Sequence, residues 1–292
     1  MKRDFVGYGT EPPNLKWPGG ARLAVSLVIN YEEGAEKTVA DGDAGPERVG
    51  ELSPMHENIR DLAQESIFEY GSRVGLWRIL HVLDKHQVNA TFFACAQAME
   101  RNPIAAREIT RRGHEICSHG YRWDEHYFMS KKAERNSIRK AVRSLEKTTG
   151  KRPVGWYCRR GPSIYTRDLL VDEGFLYDSD AYNDDVPYLV KVKGKNHLVV
   201  PYTPDANDFQ FWLNRFATQG EFCQYLTDTF DVLYEESKSN PKMMSVGLHG
   251  RVVGRPGRIR ALDSFIRYAE EHSGVWFARR VDIAHWWLKH YG

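Results

Sequence analysis

Gly113-His114-Glu115-Ile116-Cys117-Ser118-His119-Gly120-Tyr121-Arg122-Trp123 decides the fold: an apolar core at Glu115–Ser118 that stops abruptly at a histidine and a glycine. Short apolar runs bounded by turn residues read as buried strands. The same pattern recurs at Leu23–Asn30, Asn89–Cys95, Val154–Arg159, Phe175–Asp180, His197–Tyr202, Met244–His249 and Val275–Ala278. Between them lie stretches of helical spacing. Leu76, Trp77, Leu80 and Leu83 share one face between Gly71 and His86; Ile138, Val142 and Leu145 do so within 131–149. Phe222, Leu226, Phe230 and Leu233 do so before Glu236, and Ile259, Leu262, Ile266 and Ala269 after Pro256. Alternating strands and helices predict parallel strands with helices outside them. With no break in composition along the chain, the expectation is one α/β domain over residues 1–292, a distorted (β/α) barrel.

A barrel of this kind gathers its chemistry at the carboxyl ends of its strands. Five strand ends here carry ionisable clusters: Asn30-Tyr31-Glu32-Glu33-Gly34, Ser118-His119-Gly120, Arg159-Arg160-Gly161-Pro162, Asp178-Ser179-Asp180 and His249-Gly250-Arg251. Any one of them is ordinary; together they predict a single site.

The composition excludes several other functions. Of 292 residues, 41% are hydrophobic and 27% charged, and the formal charge is +2, so no basic surface for nucleic acid is expected. No stretch is long enough to span a bilayer, and the start, Met1-Lys2-Arg3-Asp4-Phe5, lacks the apolar run of a secretory signal, which predicts a cytoplasmic protein. Cys95, Cys117, Cys158 and Cys223 are far apart and read as free thiols. Residues 1–20 read as an irregular arm. Residues 34–66, rich in Glu, Asp, Gly and Pro, read as a loop or helical insertion after the first strand, of the kind that lids a site or makes an oligomer contact.

Glu32 and Glu33 are candidates for the base that takes a proton from water, although two adjacent carboxylates at a loop start are often only solvated charges. His119 and His249 share a setting at two strand ends; one suits orienting substrate or binding metal, the other protonating a leaving nitrogen. His114, at a strand start, reads as structural. Arg159 or Arg160 suits holding a carboxylate or a carbonyl. Asp178 and Asp180 fall on one strand face, where one of them can orient a histidine or arginine. Tyr121, Trp123, Tyr182 and Trp212 are candidates to line a pocket for a flat ring, against the alternative that they are core.

The ordered motifs Tyr31-Glu32-Glu33-Gly34, Ser118-His119-Gly120-Tyr121-Arg122-Trp123, Arg159-Arg160-Gly161-Pro162, Tyr177-Asp178-Ser179-Asp180 and Leu248-His249-Gly250 resemble the polysaccharide deacetylase family, with its carbohydrate-esterase-like fold, over nearly the whole chain. The stretches 69–75, 113–123, 175–180, 230–236 and 254–258 are most similar to its branch of metal-independent allantoinases and bacterial cyclic imide hydrolases, or imidases. The resemblance implies a distorted barrel, commonly tetrameric, so a homo-oligomer is expected. It places Glu32 at the catalytic base, Glu33 at the metal-binding aspartate, His119 at the first metal histidine, Arg159 at the arginine that holds the base, and His249 at the general acid. Metal-dependent members carry a second histidine four residues after the first; here that position is Trp123.

A catalytic zinc takes three protein ligands and a water. The expectation is therefore a site without metal or other cofactor. Zinc is kept open, with Glu33, His119 and His126 as the set that would hold it. Relatives with allantoinase activity often read Arg-Thr-Gly-Pro-Asn at the third motif, whereas Arg160 and Ser163 stand here. The expected activity is hydrolysis of a C–N bond in a small cyclic amide, allantoin or an imide such as succinimide. Glu32 or Glu33 would activate water, His249 would protonate nitrogen, and His119, Trp123, Asp178, Asp180 and Tyr121 would contact substrate. The alternatives are a metal-dependent N-deacetylase of an acetylated sugar or peptidoglycan fragment, and a scaffold without catalysis.

Overall fold

A computed structural model describes residues 3–11, 13–52, 56 and 58–292. Nine strands form one curled sheet: β1 (Leu23–Tyr31), β2 (Thr91–Ala94), β3 (Glu115–Ser118), β4 (Gly155–Trp156), β5 (Tyr177–Asp178), β6 (Tyr188–Val192), β7 (Lys195–Val199), β8 (Lys242–His249) and β9 (Val275–Phe277). Their order is β6-β7-β5-β4-β3-β2-β1-β8. β9 lies beside Leu23–Val25, leaving Val28–Tyr31 of β1 to β2. Every pairing is parallel except the β6–β7 hairpin.

The first strand of that hairpin, β6, is the one the sequence does not announce; β7 overlaps the expected strand at His197–Tyr202. Lys193 and Gly194 at the turn both have positive φ (51° and 79°), as the tight turns that match strand twist require. On the other side, the chain after β7 closes the curl without forming a strand. There the Gly247 N–H donates to the Ala206 carbonyl (2.9 Å), while the Met243 N–H donates to the Asp185 carbonyl (2.8 Å) in the segment between β5 and β6. The expected distorted barrel is present.

Helices cover the outer face: α1 (Leu62–Tyr70), α2 (Leu76–Lys85), α3 (Ala96–Arg101), α4 (Pro103–Arg111), α5 (Lys131–Thr149), α6 (Thr166–Asp172), α7 (Gln219–Glu236), α8 (Ile259–Glu270) and α9 (Arg280–Tyr291). α5 occupies its expected span because its ends are well made. The Ser130 hydroxyl accepts from Ala133 N–H, and Gly150 stops it in the left-handed conformation at φ 75°. α1 begins at Leu62, so the insertion ends sooner than its expected boundary at 66; Ser53, Pro54, Met55 and Glu57 within it lie outside the described residues.

β1 shows how the sheet divides the core. Leu23, Val25, Leu27 and Ile29 pack outward with the helices, while Ala24 and Val28 join Phe93, Cys117, Tyr177 and Leu198 inside the curl. The four cysteines are free, as expected. Among the described residues no helix is long and apolar enough to cross a membrane.

Candidate active site

The alternation of β1 continues past its end. Asn30 and Glu32 line a cavity of about 530 Å³ together with His119, Trp123, Arg159 and His249. These residues leave β1, β3, the strand end after β4, and β8, so the expectation of one site at the carboxyl ends holds for this group. Glu33, on the opposite parity, faces outward; one of its carboxylate oxygens packs against Gly71 and Gly250 beneath α1.

Glu32 is 1% exposed. Its Oε2 accepts from Arg251 Nη2 at 2.7 Å, and its Oε1 faces His119 Nε2 at 3.4 Å and His249 Nε2 at 3.8 Å. Burial is the largest single influence and works against its charge, but the Arg251 guanidinium together with His119 and His249 overcomes it and holds the carboxyl well below the usual carboxylate range. The neighbouring Glu33 goes the other way: burial raises its carboxyl, and Glu32 beside it raises it further, with Arg251 opposing both.

Arg251 is fully buried, its guanidinium 4.4 Å from the Phe68 ring centroid and 4.7 Å from that of Trp212. It does what the resemblance assigned to Arg159. That arginine instead donates two bonds to Glu47 (2.6 and 2.8 Å) and one to the Trp123 carbonyl (2.7 Å), and its guanidinium lies 3.8 Å from the Trp123 ring. The reason is strand order: β8 neighbours β1, whereas β4 is three places away. Glu47 and Asp208 are the site residues that sequence reasoning missed; Arg251 stood in the strand-end cluster His249-Gly250-Arg251 but was given no role.

Asp208 orients the histidine of β8. Its carboxylate accepts from His249 Nδ1 (2.6 Å) and from the His249 backbone N–H (2.8 Å). Nδ1 therefore carries a proton, and Nε2 is the atom turned toward Glu32. A carboxylate fixing the imidazole at one nitrogen leaves the other to exchange a proton with substrate.

His119 is likewise fixed through Nδ1, but its Nε2 is occupied. Nδ1 donates to the Tyr157 carbonyl (2.9 Å), and Nε2 accepts the indole N–H of Trp123 (3.2 Å). The lone pair that would bind a metal is therefore engaged. The provisional third ligand, His126, is packed against Trp156 at 5.3 Å between ring centroids and faces Glu134 at 3.4 Å. Glu33 faces Arg251 (3.5 Å). Glu33, His119 and His126 do not converge, and among the described residues no three His, Cys, Asp or Glu side chains are placed to hold a metal ion. The metal implied by the wider family does not fit these donors.

Three expected substrate contacts lie elsewhere. Tyr177 takes the interior position on β5, which turns Asp178 and Asp180 outward. Asp178 accepts from Arg167 (2.8 Å) and pairs with His197 (3.0 Å); Asp180 accepts from the Cys158 N–H (2.7 Å). Gly120, at φ 87°, turns the chain after β3, and the Tyr121 hydroxyl reaches Glu100 (3.0 Å) with Lys140 over its ring. Of the other aromatics, Tyr182 and Trp212 line the cavity, as do Tyr157 and Tyr202. Arg160 also lines it, whereas the Ser163 hydroxyl is spent on Glu134 (2.5 Å).

A curled parallel sheet with a carboxylate and an oriented histidine facing each other at its carboxyl end defines a hydrolase. The chain belongs to the polysaccharide deacetylase family. Residues 65–171 match the family's polysaccharide deacetylase profile. A Schizosaccharomyces pombe protein assigned to the polysaccharide deacetylases is 38% identical, over 98% of this chain and 96% of its own length. PuuE allantoinase superimposes with a TM-score of 0.95 at 46% identity, covering 100% of this chain and 98% of its own. The Helicobacter pylori peptidoglycan deacetylase is more distant, at 26% identity over 75% of this chain and 86% of its own length.

Proposed function

We propose that this hydrolase opens a C–N bond in a small cyclic amide, an imide or a hydantoin-like ring such as allantoin, without a metal. The observation that carries the reading is the Trp123 indole N–H on His119 Nε2, which occupies the lone pair a metal needs. Glu32 is the base, because it lines the cavity and Glu33 does not; reach comes before acidity in choosing a base. Held ionised by Arg251 with His119 and His249, Glu32 is available at neutral pH, though its low basicity makes a proton harder to take from water. His249, fixed by Asp208, delivers a proton from Nε2 to the leaving nitrogen. A conjugated ring nitrogen suits this apparatus, since it leaves more readily than the nitrogen of a simple acetamide. The likeness to PuuE allantoinase supports the ring class, and Arg160 at the cavity wall leaves the particular ring open.

The test is hydrolysis of allantoin, succinimide, dihydrouracil and an N-acetylglucosamine oligomer by chelator-treated protein. Opening of a cyclic substrate at an undiminished rate is the expected result. Activity only on the acetylated oligomer, or only after zinc is restored, would return the protein to metal-dependent deacetylation.

A further inference from the structure

Tyr202 lies just beyond β7, is 5% exposed, and lines the same cavity as Glu32 and His249. Its phenolic oxygen accepts two N–H bonds, from Asn30 Nδ2 (3.0 Å) and Asn207 Nδ2 (3.2 Å). Neither amide can be turned round. Asn30 Nδ2 also donates to the Leu248 carbonyl (3.2 Å), and Asn207 Nδ2 to the Thr203 carbonyl (3.3 Å). Asn207 Oδ1 in turn accepts from the Phe209 N–H (3.2 Å). A carbonyl only accepts, so both nitrogens are identified by their second partners.

A phenol has two acceptor positions and one proton. Here both acceptor positions are filled, and the proton has no acceptor among the described residues. Gly247 makes the arrangement possible, since a Cβ there would collide with the phenolic oxygen and with Asn207. In the β1–β8 register Asn30 is level with His249, and Glu32 is two residues further along the same face. The phenol, bonded to Asn30, therefore sits at the level of His249 and one step below Glu32.

We propose that Tyr202 donates this hydrogen bond to the ring carbonyl oxygen as it takes up charge, supplying the polarisation a Lewis acid would otherwise provide; the proposal rests on the ring-opening reading above. Glu32 takes a proton from water, and the water oxygen bonds to the carbonyl carbon. The carbonyl π pair moves onto oxygen, where the Tyr202 O–H holds it. When that pair returns, the C–N bond breaks with its electrons on nitrogen, and protonated His249 gives nitrogen its proton. The proton on Glu32 then passes to His249, and both groups regain their starting states. Tyr202 transfers no proton. Burial raises its phenol well above the usual range, which keeps the donor in place throughout.

The experiment compares wild type with Tyr202→Phe on each ring, without metal, alongside melting curves. Both asparagines keep their carbonyl partners in the variant, so it should fold. Loss of one preorganised donor is expected to lower kcat about 100-fold. KM should stay within about threefold, because the bond strengthens only in the transition state. If wild type opens a ring and the variant keeps its kcat, Tyr202 is not the donor, while the ring-opening reading stands. If wild type opens no ring, both proposals fall. Should the variant not fold, 3,5-difluorotyrosine placed at 202 decides the matter. Its more acidic phenol should move the alkaline loss of kcat to lower pH, and an unmoved profile would overturn the proposal.

Discussion

Glu32 and Glu33 show what a single residue step decides. The sequence names both and cannot choose between them, because the choice depends on which face of β1 looks into the curl. Parity separates them: the even positions 24, 28, 30 and 32 face inward, which places Glu32 and not Glu33 at the cavity. Glu32→Gln is therefore expected to lower kcat about 1,000-fold, within the usual range for a general base. Glu33→Gln should cost about tenfold or less, since burial already favours the neutral form that glutamine copies. Steady-state rates on the best ring distinguish them, and equal losses would remove Glu32 from its role. His114 was legible as structural, and it predicts an acid response. Its Nδ1 accepts the Ala90 N–H (3.1 Å), and burial lowers its pKa from 6.5 to about 4. Between those values the unfolded chain binds a proton that the folded protein refuses, so this contribution is complete above 6.5 and is lost as pH falls toward 4. The unfolding free energies of wild type and His114→Gln, from urea titrations at each pH, should converge by about 3 kcal/mol across that window. A constant difference would mean the imidazole does not titrate this way.

Among the elements, the helical run from Leu62 to Lys85 says most about how the site is positioned. The spacing of Leu76, Leu80 and Leu83 revealed its second half. It could not reveal that Gly71–Gly75 widens into a π turn between α1 and α2. Such turns are common at functional sites, and here the reason is contact. A Cβ at Gly71 would collide with the Glu33 carboxylate, and one at Gly75 with the Gly250 carbonyl, immediately before Arg251. Within a helix, Gly→Ala ordinarily adds about 1 kcal/mol of stability. Overpacking against backbone costs about 1–3 kcal/mol, and here it should win because a carbonyl cannot swing aside as a side chain end can. Gly75→Ala is expected to lower both melting temperature and kcat, the second because Arg251 moves off Glu32. A stabilised, fully active variant would show the approach to be looser than described. The insertion, expected to lid a site or make an oligomer contact, reaches the site as a wall: Arg48, Val49 and Gly50 line the cavity, and Glu47 ties that wall to Arg159. Nothing in the sequence hints that Glu47 and Glu51 are engaged, since their arginine partners, Arg159 and Arg258, lie more than 100 residues away.

On the scale of the whole molecule, the alternation of strands and helices was readable, but the closing of the curl was not. Closure depends on a segment without strand pattern and on one arginine that no motif marks. Arg280 is fully buried at the start of α9. Its side chain donates to Ser179 (2.8 Å), Ser245 (2.9 Å) and the carbonyls of Val200 and Pro201. It thus joins the chain beyond β5, the chain beyond β7, and β8 across the interior. Arg280→Met would remove the desolvation penalty of a buried guanidinium, which lowers that group's own pKa, and this alone would stabilise. It would also orphan the buried Val200 carbonyl and remove a partner from the Ser179 and Ser245 hydroxyls, each unsatisfied group costing about 1–3 kcal/mol. Ser245 has a second bond, to the Pro201 carbonyl (3.2 Å), so its loss is partly covered, but the carbonyl at 200 has no such relief described. The orphaned acceptors should win, with a net loss of about 3 kcal/mol or more in urea unfolding. Because those carbonyls immediately precede Tyr202, kcat of the folded variant should fall as well. A stable variant with unchanged kcat would mean that the backbone at 200–202 is held by its other neighbours, and that closure and catalysis are independent.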